Sequence, residues 1–422
     1  MIALLVLASQ ASATTYLVKF CFTYDVAYAD ADSSFGDDYV TTDTTYPARG
    51  ARAKVTENIT STVKWDDFVE DDTPDPGCTD TLTLDSTRSY DIKVKSYAQV
   101  NGNTMWVYTD DTLASIYATG PGTYAPTASG TVNISTPGGT EQWNIANAIG
   151  HAMWRRDGGM TGETFNFANE AGPNGTEYIR GDAGDPDDDF VYVSSGGNDN
   201  KYMIVHEFGH LVAAQANDGG PPDNDDGGVS YYDADEEECF SLGIDEESHS
   251  MNSKEYQGAA SWEGIAHYYA AVAFNDTTES DCVFVCYKDT DWDLDELYES
   301  SQEEAEFAVS CEDGPTVAPD DAYMNSYCSG TFANRSTEYD WLRFFWDLDT
   351  DQALTYSTVL SIWDAADPDD WTFTGIVAHN HDDLYPCNPT PTYPMDRLRC
   401  GANLLGKLTQ WDAEDAENGV EH

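Results

Sequence analysis

In the run Ile204-Val-His206-Glu207-Phe-Gly-His210-Leu-Val212, two histidines stand four residues apart with a glutamate directly after the first. On a helix a four-residue step turns about 400°, so His206 and His210 project from adjacent turns of one face and can both bring an imidazole nitrogen to one metal ion. Glu207 lies one step round, beside such an ion rather than on it. There it can take a proton from a water that a catalytic zinc acidifies. The frame around the motif is apolar and the chain has only eight histidines, which favours Zn2+ binding over two helix-face histidines that merely hydrogen-bond in a core.

A catalytic zinc needs a third protein ligand and one open position. The extended pattern with a glycine and a third histidine just downstream is excluded, because those places are held by Ala213 and Ala216. The next candidate is Glu263 in Ser261-Trp-Glu263-Gly-Ile-Ala-His267-Tyr-Tyr-Ala270, an aromatic- and alanine-rich stretch of helical pattern. A carboxylate on the inner stripe of such a helix costs several kcal/mol unless a cation or donor meets it. His267, one turn beyond Glu263, is an alternative ligand, and His249 in Ser248-His-Ser250 is a further one.

The pair of motifs, His206-Glu207-x-x-His210 followed by a helix carrying Glu263-Gly, resembles the gluzincin zinc metallopeptidases. The resemblance implies a five-stranded sheet above the motif helix and a helical lobe below the cleft. Carried over by position, it makes His206, His210 and Glu263 the zinc ligands and Glu207 the general base. It also implies a donor for a tetrahedral oxyanion, a role worth about 3–4 kcal/mol where one such donor has been removed. Tyr339, Tyr327, His379 and His381 qualify by residue type.

The elements that must position these residues read as follows. From Thr14 to about Pro137, short alternating runs (Ala53–Val55, Thr81–Leu84, Tyr90–Val94, Thr104–Tyr108) are broken by Gly, Pro, Asn and Asp, the pattern of an all-β sandwich. The stretch Tyr46–Val55 with Gly77–Leu84 and Tyr90–Val94 resembles the small transthyretin-like domains found beside secreted peptidases. Thr136-Pro-Gly-Gly-Thr140 marks a boundary, placing a second, α+β domain at 138–422. Helices are predicted over Trp143–Trp154, from Asn198-Asp199 to Asn217, and over Trp262–Phe274, Tyr339–Leu348 and Leu354–Ala365. Strands are predicted at Glu163–Phe167 and Phe190–Val193. The expected architecture is thus multidomain: residues 1–13 as a signal peptide, 14–137 as the sandwich, and a zincin-like domain with a mainly helical C-terminal lobe.

Charge narrows the partners. With 77 acidic against 19 basic residues the chain carries −58, a field that repels phosphate backbones and anionic lipid and so excludes nucleic-acid binding and membrane docking. A hydrophobic content of 40% nevertheless supplies folded cores. The apolar run Met1–Ala8, followed by the small-x-small site Ala11-Ser-Ala13, predicts export with Thr14 as the mature start. That run is too short to span a bilayer. Nine cysteines without a CxxC pair read as disulfides in an exported chain, with one left over. The acidic runs Asp185–Asp189, Asp223–Asp226 and Asp289–Glu296 have the composition of Ca2+ loops but lack the EF-hand glycine and closing glutamate. Ca2+ therefore stays open beside Zn2+. No nucleophile elbow and no phosphate loop occurs. The expectation is a secreted zinc-dependent peptidase acting on peptide or protein substrates, its oligomeric state undetermined. The alternative is a secreted surface-binding or adhesive protein with a structural or silent zinc site.

Overall fold

In the computed structural model the described residues are 14–26, 44–72, 74–109, 118–135, 141–156, 160, 162–169, 177–179, 190–193, 201–216, 230–233, 238–241, 255–275, 277–278, 282–286, 307–311, 335–336, 338–366 and 394–414. The expected signal peptide, His249, Tyr327, His379, His381 and the three acidic runs lie outside them.

The first half of the chain is built of strands: β1 Thr15–Val26, β2 Thr44–Pro47, β3 Ala51–Glu57, β4 Val63–Phe68, β5 Leu82–Asp85, β6 Tyr90–Val100, β7 Asn103–Tyr108, β8 Ala118–Tyr124 and β9 Gly130–Ser135. Alternation decides their faces. In β3, Ala51, Ala53, Val55 and Glu57 turn inward, while in β6 Tyr90, Ile92, Val94, Ser96, Ala98 and Val100 are buried between outward-facing residues. Strand β1 pairs with β2 and β5 antiparallel and with β9 in parallel, forming a four-stranded sheet. The Cys21–Cys78 disulfide ties β1 to the segment before β5. Contacts cross from this sheet to its neighbour, with Phe20 of β1 edge-on to Tyr124 of β8 at 5.2 Å.

The second sheet has eight strands in the order β11-β12-β10-β7-β6-β3-β4, with β8 on β6. Here β10 is Thr164–Ala168, β11 Glu177–Ile179 and β12 Phe190–Tyr192. Strand β10 runs parallel to both β7 and β12, and β11 closes the edge antiparallel. The expected division at 137/138 therefore falls within one hydrogen-bonded sheet, because β7 and β10 come from opposite sides of it. Parallel neighbours require a crossover. Helix α1, Glu141–Arg155, lies on that crossover and packs against β6 and β7 through a buried face of Trp143, Ile145, Ala146, Ile149 and Met153.

Among the described residues six more helices follow: α2 Lys201–Ala216, α3 Gln257–Phe274, α4 Glu338–Thr350, α5 Tyr356–Asp364, α6 Pro394–Leu404 and α7 Leu408–Glu414. The described chain is thus mixed α/β, with strands first and helices gathered after them. Short two-stranded ribbons sit among the helices: β13 Ser230–Asp233 with β14 Glu238–Ser241, β15 Glu255–Tyr256 with β18 Arg335–Ser336, and β16 Val283–Cys286 with β17 Phe307–Ser310. The β15–β18 ladder brings the entrances of α3 and α4 side by side. A second disulfide, Cys282–Cys311, closes the β16–β17 ribbon, and Cys400 is disulfide-bonded as well. No described helix is long and apolar enough to cross a membrane.

Candidate metal centre

Helix α2 is apolar on nearly every side, and residues Ile204 to Ala214 are all buried. A helix of that kind must lie inside the molecule. One side meets the eight-stranded sheet, where Phe208 stands edge-on to Phe165 and Phe167 of β10 at 5.2 and 5.6 Å. Another side meets α3. The close approach depends on Gly209, the second variable residue of the histidine motif: a Cβ there would lie 2.8 Å from Ala266 Cα and 2.9 Å from its carbonyl oxygen. Gly264 does the same between α3 and α4, since a Cβ there would overlap Trp341 Cβ and come within 3.1 Å of the Glu338 carbonyl oxygen. Two glycines thus set the spacing of the three helices that carry the candidate residues.

At that junction three ligand-type atoms converge. His206 Nε2 and His210 Nε2 are 3.1 Å apart, and Glu263 Oε2 lies 3.0 Å from the first and 3.2 Å from the second. Tetrahedral coordination with bonds of about 2.0–2.1 Å separates neighbouring ligand atoms by about 3.3 Å. The observed triangle has nearly that size, and its donor set, two imidazoles and one carboxylate, suits zinc. Both histidines are buried. Burial pushes the His206 imidazole well below its ordinary value of 6.5, helped by His267 and His210 and opposed by Glu263, so the ring is held neutral, the form that ligates. The Nδ1 atoms of His206 and His210 are buried without a hydrogen-bond partner among the described residues.

Glu207 is buried too, and one of its carboxylate oxygens lies within 4.8 Å of ring nitrogens of His206 and His210. It stands next to the triangle, and with the two motif histidines forms a further grouping that could hold an ion. A second grouping, His206, Glu263 and His267, also fits within 4.8 Å. His267, however, directs Nε2 at Glu338 Oε2, 2.7 Å away, with both side chains almost wholly enclosed. The Glu263 oxygen lies within 3.2 Å of a ring nitrogen of both motif histidines, while one ring nitrogen of His267 meets a carboxylate. The described residues thus contain a His/Glu/His cluster able to hold a metal ion.

Of the oxyanion-donor candidates, Tyr339 falls on α4 with its side chain completely buried and the Arg343 guanidinium 5.8 Å from its ring centre. Sequence reasoning did not anticipate Trp262 and Glu338. Trp262 stacks on His210 with ring centres 5.0 Å apart, and His267 stacks on His206 at 4.2 Å. A signal for Glu338 was present: Asp340 and Arg343 interrupt the aromatic run Tyr339-Asp-Trp-Leu-Arg-Phe-Phe-Trp346, Glu338 and Asp347 flank it, and all four are buried. Charges in such a run ask for buried partners.

Comparison with known protein families, with characterised proteins and with solved structures finds no match for this chain.

Proposed function

We propose that the protein is a secreted zinc-dependent peptidase of gluzincin type. The observation that carries this reading is the closed triangle of His206 Nε2, His210 Nε2 and Glu263 Oε2, 3.0–3.2 Å on each edge, with a buried glutamate beside it. The three residues would hold the ion. When bound, zinc supplies Lewis acidity toward a carbonyl and toward water.

The remaining chemistry belongs to the chain. Glu207 accepts a proton from the attacking water and passes it to the departing amine, a transfer that general acid–base catalysis makes worth about 10²–10⁴ in rate. Its burial keeps the carboxylate from solvent and strengthens its interaction with whatever charge develops next to it. The Cys21–Cys78 and Cys282–Cys311 disulfides, with Cys400 bonded as well, support an oxidising compartment, and the Met1–Ala13 segment supports export. The β-rich first half would serve as a sandwich framework whose sheet continues into the peptidase fold. Peptide or protein chains are the substrates in this reading.

The test is metal content with turnover. Purified protein is expected to carry about one zinc and to cleave a denatured protein substrate. Glu207→Gln is expected to keep the zinc and lose at least about 100-fold in kcat. Zinc bound at full occupancy with no cleavage of any denatured substrate would overturn the peptidase reading in favour of a binding protein with a silent site.

A further inference from the structure

Ligating histidines are ordinarily steadied by a hydrogen bond from the second ring nitrogen to a carboxylate, carbonyl or water, which fixes the plane of the ring. The two motif histidines depart from that arrangement, since neither Nδ1 has a hydrogen-bond partner among the described residues. Each ring is instead faced by another ring. His267 lies over His206 with centres 4.2 Å apart and planes 29° from parallel, and Trp262 lies over His210 with centres 5.0 Å apart and planes 21° from parallel.

Both facing rings come from α3, and they bracket Glu263. Trp262 is the residue before it and His267 stands one turn after it, on the side of α3 that faces α2. The His267 ring is itself clamped, because its Nε2 meets Glu338 Oε2 at 2.7 Å. Glu338 in turn is seated by the close α3–α4 approach at Gly264.

We infer that Trp262 and His267 are positioning residues that orient the two metal-binding imidazoles by stacking, with Glu338 holding His267 in place. The stretch Trp262-Glu-Gly-Ile-Ala-His267 then supplies both a ligand and the orienting surfaces for the other two. This inference rests on the proposed metal site and deepens it. In a buried site a stacked ring restricts tilt but leaves rotation within its own plane comparatively free, so the constraint is weaker per contact than a hydrogen bond. Two such contacts from one rigid helix make it sufficient. Removing one should therefore weaken metal binding without removing a ligand, in the range of roughly 10–100-fold seen when outer partners of metal-binding histidines are lost.

The experiment uses the full-length protein with zinc affinity from chelator competition and the visible spectrum of the Co2+-loaded form, which reports ligand geometry independently of turnover. His267→Ala and Trp262→Ala are expected to weaken zinc binding about 10–100-fold and to shift the Co2+ bands. His267→Phe, which keeps a flat ring but loses the Glu338 contact, is expected to bind zinc more tightly than His267→Ala and less tightly than the parent. Near-UV circular dichroism identifies variants that have lost their fold, and His267→Phe with Trp262→Phe then decides in place of the alanine forms. Wild-type affinity and spectrum in folded His267→Ala and Trp262→Ala would overturn the inference. Loss of zinc in His267→Phe as complete as in His206→Ala would overturn it too, by making His267 a ligand. Parent protein that binds neither Zn2+ nor Co2+ would refute the metal site itself, an outcome distinct from both.

Discussion

Between Thr15 and Ser135 the strands bury apolar residues and keep most of their charges at the surface in pairs, whereas α2, α3 and α4 carry their charges inside. Arg52 meets Asp66 and Asp67, and Lys54 meets Asp66, all partly exposed. Burial works against the Asp66 carboxylate, yet hydrogen bonds from Lys54 and Arg52 outweigh it and leave the group below its ordinary value. Surface pairs of this kind contribute about 0–1 kcal/mol each. In the helices, Glu207, Glu338, Asp340, Arg343 and Asp347 are all buried beside the three imidazoles of His206, His210 and His267, where each charge has to be met by a partner. A chain with −58 to distribute has ample surface for carboxylates, so those held inside mark a place with a use for them. The strand region keeps its charges in surface pairs, and the helix junction holds a buried cluster able to bind a metal ion.

The largest effect that would sharpen this contrast comes from the Cys21–Cys78 disulfide, which closes a loop across 57 positions. Loop-closure entropy for that length predicts a loss of about 4 kcal/mol on replacing both cysteines with serine. Zinc affinity of the folded fraction should be unchanged. Urea unfolding with parallel zinc titration checks both halves, and a change in affinity matching the loss of stability would dissolve the distinction between the regions.

Next in size is Gly264→Ala. The added methyl collides with Trp341, and overpacking between rigid helices costs about 3 kcal/mol at the upper end of its usual range. Here stability and zinc affinity should fall together, because α4 and Glu338 must move away from His267. A destabilised variant with parental zinc affinity would show that the α3–α4 spacing does not reach the site.

The smallest effect tests the cost of buried charge. Burial pushes the Asp349 carboxyl above its ordinary 3.8, although Tyr268, whose hydroxyl donates to it at 2.9 Å, and Arg156 act the other way. A carboxyl raised in the folded state contributes stability that is complete below the unfolded pKa and lost as pH rises through the folded one. Asp349→Asn, which keeps an acceptor for Tyr268, should therefore raise Tm by about 1–2 °C at pH 7, after allowance for solvent screening, and change nothing near pH 3. A melt series across pH reads this directly. A lower Tm at pH 7 would mean that the charge itself is stabilising there.

Much of the secondary structure was legible because periodicity is a local property. The expected strands at Ala53–Val55, Tyr90–Val94 and Thr104–Tyr108 lie inside β3, β6 and β7, and the expected helices match α1 to α5 within a few residues, except that α3 starts five residues earlier. His206, Glu207 and His210 were legible for the same reason, since four residues on a helix place two side chains on one face whatever surrounds them. The candidate role of Glu263 rested on the oddity of an acid in an apolar helix, together with the gluzincin resemblance.

What only the tertiary structure decided depends on contacts between distant segments. The sheet's continuation across residue 137 follows from β7 pairing with β10, and hydrogen bonds between strands leave no mark in either strand's own pattern. That both Glu263 and His267 come up beside the histidine pair depends on how α3 packs against α2, at the close approach where Gly209 meets Ala266. Glu338 reaches His267 from 71 positions away. Residue type and spacing named the chemistry available to α2, whereas the side chains of α3 and α4 that come up beside it were settled by how closely three helices pack.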